Sequence, residues 1–441
     1  MKYFGTDGFR GRVNDVLTVD HAVMTGKFLG WYFSRNGQVP RCVIGKDTRR
    51  SCYMYEYALV AGLTSTGAHV DLLHVTTTPS VAYVTRVNGY DFGIMITASH
   101  NPYSDNGIKI IDSDGFKMQE DILEKIEEYI DGKTEIELAD HSRVGKCSDF
   151  IQGRNKYIGY LASSTNISLR GYRVGLDCAN GASFMIARNA FELLGADVKV
   201  INDRPDGYNI NVDCGSTHPE RIQELVKSER LDAGFAFDGD ADRCIAVDEK
   251  GEIVDGDMII YLCGNYLKEL GMLSKDTVVT TVMTNMGITR ALEEKGIKNV
   301  QVSVGDKYVS AEMLEHGYSI GGEQSGHVIF NKFATTGDGI LTAIQVMNVL
   351  ENKKTTLSSL TGGITRFPQY MENVKVADKE KAMNSPALLK AKERWEERFG
   401  SEGRIVLRPS GTEPFVRVMV ECRDRETCIQ SVKEMADTIR E

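Results

Sequence analysis

The sequence predicts an α/β protein of several domains that ends in a smaller α+β domain. Apolar strand-like segments alternate with amphipathic helical segments through most of the 441 residues, as in proteins whose helices cover parallel or mixed sheets. The length corresponds to three or four domains of ordinary size. About the last 70 residues instead follow the order strand, charged helix, two strands and terminal helix.

The predicted elements divide the chain into four domains. Their expected bounds are residues 1–150, 151–252, 253–367 and 368–441. The apolar segments expected to form strands in the first three domains are RCVIGKD, HVDLLHV, YDFGIMIT, YRVGLD, DVKVI, LDAGFAF, CIAVD and TVVTTV. The helices expected there lie at about 55–65, 119–129, 183–194 and 258–270, with another after Gly339. The layouts of these three domains are weakly similar, which hints at repetition, but the sequence shows no clear period.

Composition and charge predict a soluble cytoplasmic protein. Hydrophobic residues make up 41% and charged residues 26% of the chain, as in ordinary globular proteins. The net charge of -10 disfavours a nucleic-acid partner. A membrane partner is disfavoured because there is no signal peptide and no apolar run of about 18 residues. The nine cysteines are scattered, which favours reduced thiols over a disulfide framework.

The segment TASHNP places Ser99 directly after the apolar strand YDFGIMIT. Ligand sites in α/β sheets lie where the carboxyl ends of strands open into loops, and Asn101-Pro102 keeps this loop out of a helix. A serine held there can be a nucleophile or can carry a phosphoryl group for transfer. Taken alone, Ser99 can equally be a strand-end turn residue. Its neighbour His100 is expected to point away from it.

The segment DGDADR places Asp238, Asp240 and Asp242 at alternating positions, followed by Arg243. In an extended segment these carboxylates point the same way, which suits a divalent cation with oxygen ligands. The alternative is a solvated turn, which the apolar flanks AGFAF and CIAV disfavour.

A calcium loop of the EF-hand type is a second alternative, since Glu249 falls at its twelfth position. However, Arg243 takes the sixth position, where that loop needs glycine, and the flanks are strand-like rather than helical. The sequence therefore favours magnesium.

The segment RPSGTEP contains groups suited to binding phosphate. A guanidinium offers a planar fork to phosphate oxygens, and hydroxyl and backbone N–H groups add further donors. The residues of this candidate clamp are Arg408, Ser410, Gly411 and Thr412, with Arg417 beyond them. A plain hairpin turn is the alternative.

The segment GGEQSGH is a glycine-rich loop that contains Glu323, Ser325 and His327. It lacks the glycine spacing of the P-loop and of the dinucleotide-binding motif. Its polar side chains suit hydrogen bonds to several sugar hydroxyls, whereas a flexible surface loop is the alternative.

Arg10 in GTDGFRG and Lys109 in NGIK add two cations to these motifs. Alone, such residues are commonly solvated or salt-bridged. A functional role for Arg10 and Lys109 is indicated only because they occur together with the serine, the aspartates and the two loops.

Together these segments closely resemble the α-D-phosphohexomutase family along the whole chain. FGTDGFRG, TASHNP, NGIK, DGDADR, GGEQSGH and RPSGTEP occur in the order expected for that family. The resemblance implies three related mixed-sheet α/β domains and a C-terminal α+β domain around a central active-site cleft. It also implies a phosphohexose mutase, an intramolecular phosphotransferase of the isomerase class.

The resemblance implies a role for each motif. Ser99 is the implied phosphoserine, and one Mg²⁺ per chain is implied between Ser99, Asp238, Asp240 and Asp242. The residues implied around the phosphoserine are Arg10, Lys109 and Arg243; His100 positions the serine loop, and Lys109 and His327 are candidates for proton transfer. The residues implied to bind the sugar and its non-reacting phosphate are Glu323, Ser325, Arg408, Ser410, Gly411, Thr412 and Arg417.

Within the family, three segments resemble the phosphoglucosamine branch: GGEQSGH, the opening KYFGTDGFRG, and TVMTNMG at 281–287. This implies interconversion of glucosamine 6-phosphate and glucosamine 1-phosphate, with a sugar 1,6-bisphosphate as activator. Lys307 stands where that branch often has arginine, which keeps the charge but loses the bidentate fork.

Other functions stay open at this point. One is a phosphomannomutase/phosphoglucomutase of the same family, and another is a catalytically silent phosphosugar-binding protein. A phosphatase or kinase is disfavoured because neither needs a clamp for a second phosphate, and no nucleotide-binding loop is present. The expected partner is a small phosphosugar, bound by a monomer or homodimer.

Overall fold

The computed structural model describes residues 1–35, 37–409 and 414–440, and in these residues the chain forms four separate β-sheets. The elements of the first region are β1 (Phe4–Gly5), β2 (Gly8–Arg12), α1 (Val19–Ser34), β3 (Arg41–Lys46), α2 (Cys52–Ser65), β4 (His69–Val75), α3 (Thr78–Asn88), β5 (Phe92–Ile96), β6 (Asp105–Asp112), α4 (Glu120–Ile130) and β7 (Cys147–Asp149). Their strands form one mixed sheet in the order β1-β2-β6-β5-β3-β4-β7.

The second and third regions each contain a smaller mixed sheet. The elements of the second are α5 (Ile151–Ser163), β8 (Arg173–Asp177), α6 (Ala187–Leu193), β9 (Asp197–Ile201), α7 (Glu220–Glu229), β10 (Ala233–Phe237), β11 (Cys244–Asp248) and β12 (Ile253–Val254). Those of the third are α8 (Gly256–Glu269), β13 (Thr277–Thr281), α9 (Met286–Glu294), β14 (Lys298–Val302), α10 (Asp306–His316), β15 (Ile320–Gly322), β16 (Val328–Phe330), α11 (Gly339–Lys353) and α12 (Leu357–Thr361).

The C-terminal region is different, as the sequence predicts. Its elements are β17 (Gln369–Lys375), α13 (Lys379–Met383), α14 (Pro386–Phe399), β18 (Gly403–Pro409), β19 (Phe415–Cys422) and α15 (Arg425–Arg440). The three strands are antiparallel in the order β17-β19-β18, and Trp395 of α14 and Met435 of α15 pack into a core separate from those of the other sheets. The mixed α/β fold class with a C-terminal α+β domain is confirmed.

The first three sheets share one strand order. Each sheet contains three parallel strands, in the orders β5-β3-β4, β10-β8-β9 and β15-β13-β14. An antiparallel strand pairs with the first strand of each order: β6 with β5, β11 with β10, and β16 with β15. The loop between the last two strands is therefore topologically equivalent in all three. It carries TASHNP in the first sheet, DGDADR in the second and GGEQSGH in the third.

The strands that lead into these loops form rigid supports. Every residue of β5 (FGIMI), β10 (AGFAF) and β15 (IGG) is buried. Near-continuous apolar runs are typical of strands that are covered on both faces. Each loop therefore starts from a fixed strand end, where α/β proteins place their ligands.

The segment TVMTNMG at 281–287 supports the C-terminal region. The Asn285 side chain exchanges hydrogen bonds with the backbone of Phe367, through the Phe367 carbonyl at 2.9 Å and its N–H at 3.1 Å. The Met286 N–H donates to Glu421 at 2.8 Å, and Glu421 also pairs with Arg404 at 2.7 Å. The motif thus holds both the connecting chain and β19 of the last sheet.

Two expectations from the sequence are wrong in detail. The helix expected at 183–194 starts instead as a 3-10 turn at Ala182–Met185, because the Ala182 N–H donates to the carbonyl of Gly239 in the neighbouring loop. Cys422 and Cys428 form a disulfide, since the turn between β19 and α15 brings them together, whereas reduced thiols were expected. The other seven cysteines, all within the described residues, are free.

In the described part of the chain, no helix has both the length and the apolar character needed to cross a membrane.

Candidate active site

The TASHNP and DGDADR loops meet at Ser99. Ser99 is buried, and its hydroxyl donates a 2.6 Å hydrogen bond to Oδ2 of Asp238. Its backbone lies in the left-handed region, with φ +52°, which is uncommon for a residue with a side chain and marks functional sites when neighbours hold it. The loops can lie this close because Gly239 has no side chain: a Cβ there would come within 2.5 Å of the Ser99 carbonyl oxygen.

The three aspartates form one buried cluster, but not on an extended segment. They lie on a turn between β10 and β11, in which Ala241 has φ +56°. The expected extended conformation is wrong because the chain must reverse direction between two antiparallel strands within six residues. The turn nevertheless brings one oxygen of each of Asp238, Asp240 and Asp242 within 4.8 Å of the others.

The aspartate cluster is partly balanced by a buried lysine. Lys109, on β6, contacts Asp240 at 2.7 Å and Asp242 at 3.0 Å. Burial favours the neutral amine, but the two carboxylates outweigh it and raise the pKa of Lys109 above its usual range. Burial, and then repulsion from Asp242 and Asp240, raises the pKa of Asp238. The charge of Arg243 acts in the opposite direction on Asp238 but does not outweigh them.

The donor set fits a hard divalent cation. Among the described residues, Oδ1 of Asp240 and Oδ1 of Asp242 are buried without a hydrogen-bond partner, and a buried oxygen in that state costs free energy. Three carboxylates with a hydroxyl beside them provide the oxygen ligands that Mg²⁺ or Ca²⁺ takes. The few protein oxygens leave room for water or phosphate, as Mg²⁺ prefers.

His100 does not point away from Ser99, which corrects the expectation for adjacent loop residues. Its Nδ1 lies 3.3 Å from the Ser99 hydroxyl oxygen, because the left-handed backbone at Ser99 turns both side chains to the same side. Burial lowers the pKa of His100 to about 4, helped by the charges of Arg243 and Arg10. The hydroxyl proton is donated to Asp238, so the His100 Nδ1–H donates to the Ser99 oxygen rather than removing its proton.

Arg10 and Arg243 reach the same loop from two sheets. Arg10 lies on β2 opposite Gly107, and Arg243 directly precedes β11, where its N–H donates to Asp238 at 3.2 Å. Both guanidinium groups act on His100 electrostatically. Asp7 pairs with Arg10 at 3.4 Å. Two cations therefore stand beside the serine loop, in addition to Lys109.

The third loop reaches the aspartates through His327. The Gly337 N–H donates to His327 Nε2 at 3.0 Å, so the ring proton lies on Nδ1, which faces Asp242 at 3.8 Å. Burial lowers the pKa of His327, but Asp242, Asp306 and Glu323 outweigh it and raise the pKa.

Glu323 and Ser325 occupy the tip of the same loop. Glu323 is half-buried and accepts the Gly305 N–H at 3.1 Å, while Ser325 is exposed. Glu323 also acts electrostatically on Arg243 and His327, which places it within reach of the groups around the aspartate cluster.

The C-terminal sheet supplies two arginines. Arg408 on β18 and Arg417 on β19 are directly paired across the ladder, and both are half-buried. Burial, and then the charge of Arg417, lowers the pKa of Arg408, whereas Glu323 acts in the opposite direction. The three residues therefore lie within electrostatic reach of one another. Ser410, Gly411 and Thr412 of the predicted clamp lie outside the described residues.

Sequence reasoning missed the residues beneath the serine loop. Asp47, Thr48 and Arg49 follow β3 at the same sheet edge, and Arg49 is fully buried against the carbonyls of residues 99–105. Asn211, from the second region, donates to the carbonyl of Ser99 at 2.8 Å. A usable signal existed: KDTRR is a charged segment directly after an apolar strand, as TASHNP and DGDADR are.

The chain is similar over its full length to two bacterial relatives named phosphoglucosamine mutase. That of Lachnoclostridium phytofermentans is 52% identical over 441 residues, which is 100% of this chain and 98% of the relative. That of Lachnospira eligens is 53% identical over 442 residues, again 100% of this chain and 98% of the relative.

Solved structures show the same fold at low identity. A phosphoglucomutase/phosphomannomutase family protein from Burkholderia thailandensis has a TM-score of 0.82 and 22% identity, covering 99% of this chain and 97% of that one. Aspergillus fumigatus N-acetylphosphoglucosamine mutase, solved in complex with GlcNAc-6P and magnesium, has a TM-score of 0.70 and 19% identity, covering 99% and 95%.

Family models cover all four regions in order. Those of phosphoglucomutase/phosphomannomutase alpha/beta/alpha domains I, II and III match residues 1–137, 155–251 and 255–367, and that of the C-terminal domain matches residues 371–438. With the ordered motifs and the convergent loops, these matches establish that the chain belongs to the phosphoglucomutase/phosphomannomutase family.

Proposed function

We propose that the chain catalyses the phosphoglucosamine mutase reaction, which interconverts glucosamine 6-phosphate and glucosamine 1-phosphate. The observation that carries the reaction type is the buried contact between the Ser99 hydroxyl and Asp238 of the aspartate cluster. The choice of sugar rests on the full-length relatives of 52% and 53% identity.

The reaction needs Ser99 to carry a phosphoryl group before the first turnover. The bond between phosphorus and Ser99 Oγ breaks as a bond to O1 of glucosamine 6-phosphate forms, and the sugar becomes a 1,6-bisphosphate. The sugar then turns over in the site, and its 6-phosphoryl group passes to Ser99, which leaves glucosamine 1-phosphate. A sugar 1,6-bisphosphate from solution restores a phosphoserine that has been lost.

Positioning and charge are the main contributions of the chain, since phosphoryl transfer leaves the protein little covalent chemistry to supply. A phosphoserine carries roughly -1.5 to -2 charges at neutral pH, next to three buried carboxylates. Arg10, Lys109 and Arg243 are proposed to offset this charge. Lys109 or His327 is the proposed proton-transfer group for the sugar hydroxyl.

The aspartate cluster would hold one Mg²⁺ per chain, with the Ser99 phosphate as a further ligand. Oδ1 of Asp240 and Oδ1 of Asp242, which have no hydrogen-bond partner among the described residues, support this assignment. When bound, the cation neutralises the charge that develops on the transferring oxygens. The three aspartates fix its place relative to Ser99, because they share one turn on a buried strand pair.

The two ends of the sugar phosphate need two separate sites. Glu323 and Ser325 are proposed to bind the sugar hydroxyls, and the clamp of Arg408 and Arg417 with Ser410, Gly411 and Thr412 the phosphate that does not react. One clamp then serves both orientations of the bisphosphate. A C-terminal domain that closes over the sugar would exclude water from the phosphoserine.

A phosphomannomutase/phosphoglucomutase reaction is the second candidate, because the family model names both activities. The deciding experiment compares kcat/KM on glucosamine, mannose and glucose 6-phosphates, with Mg²⁺ and a trace of the matching 1,6-bisphosphate. The proposal expects the highest kcat/KM on glucosamine 6-phosphate. A higher value on either neutral sugar would overturn the choice of substrate, and no turnover on any of them would favour a silent binding protein.

The substitution Arg408→Lys tests the phosphate clamp. Lysine keeps the charge but loses the bidentate fork, so KM for glucosamine 6-phosphate is expected to rise about 10-fold, with kcat changed much less. Steady-state kinetics at saturating Mg²⁺ measure both constants. Arg423→Lys is the matched control, since Arg423 lies just beyond β19 and pairs with Glu402. An unchanged KM in Arg408→Lys would remove Arg408 from the clamp.

The location, oligomeric state and partners of the enzyme are also proposed. We propose a cytoplasmic metabolic enzyme, monomeric or homodimeric, whose partners are small phosphosugars rather than nucleic acids or membranes. The domain bounds near residues 150, 252 and 367 are part of the same proposal.

A further inference from the structure

Arg49 is the most completely engaged buried cation near the site. Its side chain is fully buried, and each of its five N–H donors (the full complement of a guanidinium) has an acceptor. Nε donates to Asp47 at 2.9 Å. The four remaining bonds go to backbone carbonyls of the serine loop, those of Ser99, Asn101, Pro102 and Asp105.

These bonds hold a conformation that the loop does not favour by itself. Ser99 has φ +52°, and left-handed residues with side chains persist only where their surroundings hold them. Asp47 also accepts the Thr97 hydroxyl at 2.7 Å, and that hydroxyl accepts the Ser99 N–H at 2.8 Å. Both the N–H and the carbonyl of Ser99 are therefore tied to the Asp47–Arg49 pair.

The second region holds the same two carbonyls. Asn211 Nδ2 donates to the Ser99 carbonyl at 2.8 Å and to the Asn101 carbonyl at 3.1 Å, where Arg49 Nη2 also donates at 2.8 Å to each. The region that carries the aspartate cluster thus also grips the serine loop. This fixes the distance between the serine and the aspartates from both sides.

We infer that Arg49 and Asn211 form a two-domain brace whose function is to aim the Ser99 hydroxyl at the aspartate cluster during phosphoryl transfer. They are positioning residues, because neither is proposed to touch the substrate. The inference rests on the proposed role of Ser99 as phosphoryl carrier. It adds that phosphoryl transfer depends on the Arg49 guanidinium and the Asn211 side-chain amide, which lie outside the six family motifs.

The experiment measures transfer to Ser99 directly, which makes it independent of the choice of sugar. Unphosphorylated protein is mixed with glucose 1,6-bisphosphate and Mg²⁺, quenched at increasing times, and weighed intact. Arg49→Lys keeps the charge opposite Asp47 but cannot reach four carbonyls. We expect it to slow transfer by about 100-fold, since a misplacement of about 1 Å can cost that much, with the Kd for the bisphosphate changed less than about three-fold.

Asn211→Gly is the second variant, and it decides alone if Arg49→Lys does not fold. Glycine accepts the φ of +59° at position 211, so only the amide donor is lost, and transfer is expected to slow about 10-fold. Arg50→Lys is the control, because Arg50 is the exposed neighbour of Arg49 and carries the same substitution one residue away.

The outcomes separate the brace from the proposed function. Slower transfer at unchanged Kd in the folded variants supports the brace, whereas a purely structural role would lower Tm and leave the transfer rate of the folded protein unchanged. Wild-type rates in the folded variants would overturn the brace alone. Wild-type protein that takes up no phosphoryl group on Ser99 would overturn both.

Discussion

Ser99→Ala is expected to lower kcat for the mutase reaction by several orders of magnitude and to leave the fold intact. Alanine removes the only atom proposed to accept and return the phosphoryl group. Within the described residues, the side-chain hydrogen-bond partners of that atom are His100 and Asp238, and neither carries a hydroxyl. The effect on stability is small, because only the two hydrogen bonds that join the Ser99 hydroxyl to Asp238 and His100 are lost, each worth on the order of 1 kcal/mol.

Steady-state kinetics with a coupled assay and a thermal melt measure the two effects separately. Ser104→Ala is the matched control, because it makes the same change in the same loop at a half-buried residue outside the cluster. Near-normal turnover in Ser99→Ala would exclude Ser99 as the phosphoryl carrier.

Asp238→Asn is expected to lower kcat by about 10²- to 10⁴-fold and to shift activation to higher Mg²⁺ concentrations. Asparagine keeps the shape but gives the cation a neutral oxygen in place of a charged one, at the aspartate that also contacts Ser99. Removing one positioned electrostatic group at a site of developing charge lowers kcat by about 10²- to 10³-fold, and the weaker hold on the cation adds to that effect.

The same substitution is expected to stabilise the protein in the absence of metal. Three carboxylates lie within 4.8 Å of one another, and burial and repulsion raise the pKa of Asp238, so its charge is unfavourable without a cation. A neutral side chain relieves that repulsion, with a gain on the order of 1 kcal/mol.

Activity titrated with Mg²⁺ tests the expected shift in metal activation, and thermal melts with and without chelator test the expected gain in stability. Asp213→Asn is the control, an exposed position of the same region. An unchanged Mg²⁺ dependence in Asp238→Asn would argue against the aspartate cluster as the metal site, and a lower Tm without metal would contradict the electrostatic argument.

Local patterns were enough to predict the fold class and most of the loops. FGIMI, AGFAF and YSI are short apolar runs, and the segment that follows each is polar or glycine-rich. This contrast marks a strand end whatever the long-range pairing is. The sequence alone did not predict that the TASHNP, DGDADR and GGEQSGH loops are topologically equivalent. Their equivalence depends on which strands pair, and the strand order is set by contacts between distant residues.

Side-chain geometry within the loops was predicted less well. The aspartates were expected on an extended segment, and the reversal between β10 and β11 put them on a turn. His100 was expected to point away from Ser99, and a left-handed residue reversed that. Both errors come from backbone angles that side-chain spacing does not encode, since Ser99 and Ala241 adopt φ angles of +52° and +56°.

The support of the serine loop could not be derived from local sequence. Arg49 and Asn211 lie 50 and 112 residues from Ser99. The segment KDTRR marks a charged strand end, but nothing in it shows that Arg49 binds the serine loop. Buried charges are expected to be paired, but the partner here is a set of backbone carbonyls that exists only in the folded loop.

The most direct test of the account is to locate the phosphoryl group during turnover. Protein incubated with glucosamine 1,6-bisphosphate and Mg²⁺ is weighed intact, and its phosphorylated peptide is sequenced before and after addition of glucosamine 6-phosphate. The account predicts one phosphoryl group, on Ser99, which passes to the added sugar as bisphosphate appears. Turnover with Ser99 unmodified throughout, or with the phosphoryl group on another residue, would contradict it.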